Sequence, residues 1–165
     1  MRILVLAAAS AAITACFAPE SRNGYVLKVG EGEYAAGAII KASPATGTQG
    51  GVLVQQPFPE GLSTGLHYHT EADEFFYVVS GRGTATFDGE NHPVEAGDVI
   101  FIPAGLDHKL WTDGSAMELL VFLDKPGLEE EFRAWHRAYG EDAPVSLEQL
   151  NEIAERHGTV YKTIE

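Results

Sequence analysis

His67 and His69 stand two residues apart, a spacing that puts both imidazoles on one face of a β-strand while Tyr68 faces the other way. Glu74 follows after Thr70-Glu71-Ala72-Asp73, a stretch small and polar enough to turn the chain and return the carboxylate beside the two rings. Two nitrogens and an oxygen so arranged suit a divalent transition ion (Mn, Fe, Co, Ni, Cu or Zn) better than Ca or Mg, which favour oxygen shells. His108 opens a later run, after Gly97-Asp98 and Pro103-Ala104-Gly105 have each turned the chain, and can complete the set. Four protein donors on an ion that takes five or six leave positions for water, dioxygen or a chelating substrate. That is the layout of a reactive centre rather than a closed structural one.

These side chains meet only if the intervening segments are strands, and the sequence reads that way. Apolar runs at 25–29, 37–41, 51–56, 65–69, 74–80, 84–87, 98–102, 108–112 and 116–123 are each short enough for a strand. Turn formers separate them: Ser80-Gly81-Arg82-Gly83, Asp88-Gly89, Ala96-Gly97-Asp98, Pro103-Ala104-Gly105 and Asp113-Gly114-Ser115. Many short strands at regular intervals predict an all-β sandwich or barrel. Strand parity puts Phe76 and Val78 on the inner face with Glu74, and Leu110 and Thr112 on the inner face with His108, while Phe75 and Tyr77 point out. Phe76, Val78, Leu110 and Thr112 are therefore the expected substrate pocket, mostly apolar, with Glu74 as the candidate catalytic base.

Beyond Lys125-Pro126-Gly127 the period changes. Leu128, Phe132, Trp135 and Tyr139 recur at helical spacing and Gly140 can close the helix. A second helix starts at Ser146, which forms a capping box with Gln149, and continues through Leu147, Leu150 and Ile153 to Gly158. His136 and His157 fall in these helices and read as surface or packing residues. His92, next to Pro93 in the polar Asp88-Gly89-Glu90-Asn91 turn, reads as a solvated loop residue. Glu71 and Asp73 read as rim carboxylates, with Asp73 also a candidate to support a ligand from behind.

A chain of 165 residues has room for one domain and a short appendage. Its net charge of −13, without clustered Lys and Arg, argues against nucleic acid or an anionic membrane surface as the partner. The start is different in character: Met1-Arg2 and an apolar run over 3–15 form a secretory signal pattern, too short for a confident span. It ends in Ile13-Thr14-Ala15-Cys16, which resembles a bacterial lipobox, so export to the periplasm or cell envelope is expected, with a lipid anchor at Cys16. The alternative is an ordinary signal peptide with an incidental cysteine. Cys16 is the chain's only cysteine, so no disulfide within the domain is expected.

Taken together, the ligand residues and their glycines resemble the two motifs of the cupin superfamily, G-x5-H-x-H-x4-E-x6-G and G-x5-P-x-G-x2-H-x3-N. The first is matched at Gly61, His67, His69, Glu74 and Gly81; the second at Gly97, Pro103, Gly105 and His108, with Thr112 where Asn is frequent. The resemblance implies a cupin double-stranded β-helix (jelly-roll barrel) over 37–124, preceded by a leader (1–15) and a linker with an N-terminal strand (16–36), and followed by a C-terminal pair of α-helices (125–165). It implies one divalent transition metal on His67, His69, Glu74 and His108. The chain also looks like small bacterial cupins grouped with quercetin dioxygenases, which implies a metal that binds an enolate and O2. An O2-dependent dioxygenase acting on a phenolic or enol-containing small molecule is thus the first expectation. A non-oxidative isomerase, cyclase or lyase, and an envelope-anchored binding module without turnover, are the alternatives. Homodimerisation through barrel edge strands is the expected assembly, unless the terminal segments cover those edges.

Overall fold

The computed structural model describes residues 23–28, 30–140 and 146–163; the expected leader and Cys16 lie outside the described residues. The strands are β1 (Glu33–Ala35), β2 (Ala38–Ala42), β3 (Val52–Phe58), β4 (His67–His69), β5 (Glu74–Phe87), β6 (Glu90–Glu95), β7 (Val99–Ile102), β8 (His108–Trp111), β9 (Met117–Leu123) and β10 (Thr159–Tyr161). Helices α1 (Leu128–Tyr139) and α2 (Leu147–Ala154) precede β10. All pairings are antiparallel, and the strands run in the order β1-β2-β3-β9-β5-β8-β4-β10 in one curled sheet, with β6 and β7 also paired to β5. This is the all-β jelly-roll barrel with two short C-terminal helices that the sequence predicts.

β5 makes the curl possible. Its first part, 74–77, lies between β7 and β9, and its last part, 84–87, lies between β6 and β8. The sequence predicts a turn at Ser80-Gly81-Arg82-Gly83, but the strand continues through it with a bulge between Val78 and Ser80. The amide groups there are paired to other strands, Gly81 opposite Met117 and Arg82 opposite Glu95, so nothing folds the chain back on itself. The glycine serves a close approach instead: at φ 78°, a Cβ on Gly81 would sit 2.0 Å from the Ala116 carbonyl oxygen.

Alternation then fills the barrel. Val52, Val54, Phe58, Phe76, Val78, Ile100, Ile102, Leu119, Val121 and Leu123 point inward and form the core. Full burial of each such side chain is worth about 1.5–3 kcal/mol. Their neighbours Phe75, Tyr77, Phe101 and Phe122 face out, and the Phe75 ring lies 4.8 Å from Phe101 and 6.0 Å from Phe122.

Two expectations at the edges are corrected. Residues 25–28 form no strand; the Tyr25 hydroxyl donates to the Lys41 carbonyl at 2.7 Å, and the first strand is β1 instead. The polar stretch around His92 is not a loop but strand β6, joined to β5 by a tight turn at Asp88 and Gly89, both at positive φ. His92 stacks on Phe87 with ring centroids 4.2 Å apart, so its alternation with Val94 was hidden by Pro93, which an edge strand tolerates.

The helices follow the sequence reading more closely. Leu128 and Phe132 of α1 are buried against the barrel, and Arg133 clamps the helix to β1 with a two-pronged contact to Glu33 at 2.8 and 2.6 Å. Ser146 and Gln149 form the expected capping box of α2. After a 3-10 turn at Glu155–His157 the chain does not end as helix; Gly158 at φ 88° releases it into β10, which pairs with β4. Among the described residues no helix is long and apolar enough to cross a membrane.

The Gly81 contact yields a stability prediction. Gly81→Ala should lower unfolding free energy by about 2–4 kcal/mol, since it adds both positive-φ strain and a backbone clash. A denaturant midpoint equal to that of the parent would refute this role.

Candidate metal centre

β4 is only three residues long, yet it carries two of the four candidate ligands and sits between β8 and β10. Antiparallel register places His67 directly opposite His108, with ring centroids 4.2 Å apart. Glu74 begins β5, where the turn after β4 has carried it back over the same end of the barrel. Its Oε2 lies 3.1 Å from His69 Nε2 and 2.9 Å from His108 Nε2. All four side chains are buried, and one donor atom from each lies within 4.8 Å of the others. An ion bonded at about 2.1 Å to each would draw opposite donors to about 4.2 Å, so only a small contraction is needed.

The outer nitrogens decide which atoms face inward. His67 Nδ1 donates to the Gly65 carbonyl at 3.0 Å and His108 Nδ1 to the Leu106 carbonyl at 2.9 Å. A carbonyl can only accept, so both rings carry their hydrogen on Nδ1 and offer the Nε2 lone pair to the centre. His69 Nδ1 lies 3.1 Å from the Thr159 hydroxyl. Outer-shell hydrogen bonds of this kind fix ring orientation and raise ligand basicity in metal sites. With Nδ1 of His108 already protonated, the contact of its Nε2 with Glu74 asks for a further proton or a cation between nitrogen and oxygen.

Electrostatics show the same tension. Burial, reinforced by His108 and His69, lowers the His67 pKa to about 3, which leaves this ring neutral. Burial alone would raise Glu74, but His69 and His108 outweigh it and hold the carboxyl well below its ordinary value. Burial likewise opposes a charge on His69, and Glu74 overcomes it and raises that ring. A dication would replace the proton that the pair would otherwise share. The donor set therefore fits a divalent transition ion.

The other sequence candidates are dispersed. Phe76, Val78 and Leu110 are core residues, and the Phe76 ring lies 6.3 Å from that of His108. Thr112 is buried too, and donates to the Pro59 carbonyl at 2.7 Å. Asp73 supports no ring: its Oδ1 accepts from the Ala104 amide at 2.9 Å, tying the β4–β5 turn to the turn after β7. Glu71 stays on the rim, 3.8 Å from Lys125. His157 lines a groove of about 420 Å³ that runs from His69 past Glu71, Lys125, Leu128 and Arg156. His136 packs edge-on against Tyr34.

Sequence reasoning missed the residues that back the cluster. Tyr161 stacks on His67 with centroids 4.9 Å apart, and Thr159 meets His69, both from β10. Glu131 of α1, fully buried, accepts from the Tyr161 hydroxyl at 3.2 Å. Two signals were present: the β-branched and aromatic triplet Thr159-Val160-Tyr161 after a glycine, and a carboxylate on the apolar stripe of α1.

Acid sensitivity follows from His67. In the unfolded chain this ring takes up a proton near pH 6.5, but in the fold not until about pH 3, so the unfolded state binds more protons in between and stability is lost as pH falls through that window. Glu74 adds a loss in the same direction below the ordinary carboxylate range, and His69, raised, acts in the opposite sense above pH 6.5. With chelator present, thermal midpoints should fall between pH 6.5 and 5, and His67→Gln should flatten that slope. Equal slopes in the two proteins would count against it.

Residues 55–123 match the family described as the cupin domain. An uncharacterized protein of Methanocaldococcus jannaschii is 38% identical over 79 residues, 48% of this chain and 63% of that protein. An oxalate-binding protein of Thermotoga maritima is 28% identical over 98 residues, 59% of this chain and 80% of that protein. The quercetin 2,3-dioxygenase of Bacillus subtilis is 30% identical over 119 residues, 69% of this chain but 35% of that enzyme. The match thus spans less than two thirds of the Methanocaldococcus protein and about a third of the dioxygenase. In fold, a cupin protein from Bacteroides fragilis superposes with a TM-score of 0.53 at 21% identity, covering 62% of this chain and 85% of its own. Barrel topology, motif spacing and the domain match agree, and the chain belongs to the cupin superfamily.

Proposed function

We propose that this cupin is a metal-dependent enzyme, with one divalent transition ion held by Nε2 of His67, His69 and His108 and by the Glu74 carboxylate. The observation that carries the reading is the orientation of the rings: two Nδ1 hydrogens are committed to main-chain carbonyls, the third nitrogen faces Thr159, Nε2 of His69 and of His108 meets one Glu74 oxygen, and a donor atom of His67 lies within 4.8 Å of the others. A buried set of that kind without a cation is costly in desolvation and mutual repulsion. When bound, the ion would supply Lewis acidity and open coordination positions for a substrate.

The reaction we favour is an O2-dependent dioxygenation of a phenolic or enol-containing small molecule. Likeness to the quercetin 2,3-dioxygenase extends over 69% of this chain, beyond the 55–123 cupin match itself. In this reading His67, His69 and His108 orient the centre, Glu74 takes the substrate hydroxyl proton as base, and the apolar Phe76, Val78 and Leu110 keep water from beneath it. A second reading, non-oxidative chemistry or capture of an anionic molecule, draws on the groove beside His69. Lys125 and Arg156 lie there, and a shorter relative, matched over 80% of its length, is an oxalate-binding protein.

Metal analysis of protein purified without added ions should find about one transition ion per chain, and His69→Ala should lose most of it. Full metal occupancy in that variant would refute the ligand assignment. Oxygen uptake screened over flavonols and catechols separates the reactions: turnover that stops under anaerobic conditions supports dioxygenation, and undiminished anaerobic turnover supports the Lewis-acid alternative.

A further inference from the structure

Glu131 is a carboxyl with no exposed surface, held on the face of α1 that packs against the barrel. One oxygen, Oε1, accepts from the Tyr161 hydroxyl, while Oε2 is buried without a hydrogen-bond partner. A core position that needed only a hydrogen-bond acceptor for Tyr161 would be filled at lower cost by an amide, because a buried carboxyl is penalised whenever it ionises. Its neighbour Glu129, almost equally buried, is explained locally: its Oε2 accepts from the Gly127 amide at 2.8 Å and closes the start of the helix. Glu131 has no such local duty.

What surrounds Glu131 is the back of the candidate metal centre. Register between β4 and β10 sets Thr159 opposite His69 and Tyr161 opposite His67. The Thr159 hydroxyl reaches His69 Nδ1, and the Tyr161 ring stacks on His67. Tyr161 reaches Glu131 directly, donating its hydroxyl to Oε1, and the Thr159 hydroxyl lies beside the same carboxyl, where it acts against the upward push of burial on its pKa. β10 is itself fixed, since the Asn151 amide pairs with both the N–H and the C=O of Tyr161 at 2.8 Å.

We infer that Glu131 is a positioning residue for the metal centre, acting on His69 through Thr159 and on His67 through Tyr161. The inference rests on the metal reading above. In it His69 Nδ1–H donates to Thr159 Oγ1, whose hydrogen turns to the carboxyl, so a negative group two steps behind the imidazole raises the donor strength of Nε2. Burial pushes the Glu131 carboxyl up to about 7, and a dication on the neighbouring ligands would favour its ionised form, so the bound state would place a second negative group behind the site.

Co2+ serves as the probe, with affinity measured by competition against a chelator and the ligand field read from the visible spectrum. Glu131→Gln should weaken Co2+ binding by about 10–100-fold and shift the absorption bands, as loss of an outer-shell partner does. Glu129→Gln, on the same helix and equally buried, should change neither. Thr159→Val keeps the shape and removes the relay, so it should weaken binding and alter the spectrum in the same sense, and it carries the test if Glu131→Gln does not fold. Parental affinity and spectrum in folded Glu131→Gln or in Thr159→Val would overturn the inference, as would equal losses in Glu129→Gln. Parent protein that takes up no Co2+ would refute the metal reading itself, and this role with it.

Discussion

One carboxylate oxygen shared by two imidazole nitrogens in a dry barrel end is the contact on which the rest depends. Glu74 Oε2 touches His69 and His108 at 3.1 and 2.9 Å where solvent is excluded. In water each of these groups would be independently solvated. In the barrel their charge states are bound together, and His67, buried against the rings of His69 and His108, is pushed to its neutral form. The surrounding structure can be understood as what holds four mutually demanding groups at that distance: carbonyls aimed at Nδ1 from behind, a turn fixed by Asp73, and a core that leaves no room for the rings to rotate away.

β4 is the place where geometry matters most, because a three-residue strand has little stability of its own. It is held on both edges. β8 supplies His108 on one side, and β10 supplies Thr159 and Tyr161 on the other, with Lys162 and Thr163 amides adding bonds to the Leu66 carbonyl. The C-terminal appendage is therefore part of the site's frame, not an ornament on the barrel. Without β10 the free edge of β4 would expose unpaired backbone beside two ligands.

The barrel and its first-contact residues were legible because short-range rules govern them. His67 and His69 alternate with Tyr68 on one strand, and parity is the most local of structural constraints. The same rule separated buried Phe76 and Val78 from exposed Phe75 and Tyr77. It failed where a residue's meaning depends on a distant partner. Gly81 and Gly83 read as a turn until Ala116, Met117 and Trp111 are seen against them. His92 read as loop because Pro93 breaks the local pattern, although an edge strand accepts a proline. Thr159 and Tyr161 escaped for the same reason: a β-branched and aromatic triplet after a glycine is too short a signal to stand as a strand alone, and only pairing with β4 makes it one.

The electrostatic setting bears on what can reach the centre. A chain with net charge −13 repels anions at long range, yet Lys125, Arg156 and His157 line the groove that leads from His69. Beyond about 8 Å at physiological salt the overall charge is screened, so the groove's own residues dominate the last approach. Glu71 and Glu130 share that groove, and Lys125 is already engaged with Glu71 at 3.8 Å, an exposed contact worth little on its own. Arg156 is the other cationic side chain of that groove besides Lys125 and His157, and its planar fork is of the kind that pairs with a carboxylate or phenolate oxygen. Under the function proposed above, that groove suits an enol-bearing substrate and a small dicarboxylate alike, so discrimination between them falls to the buried end, to the Glu74 carboxylate and the apolar side chains around it.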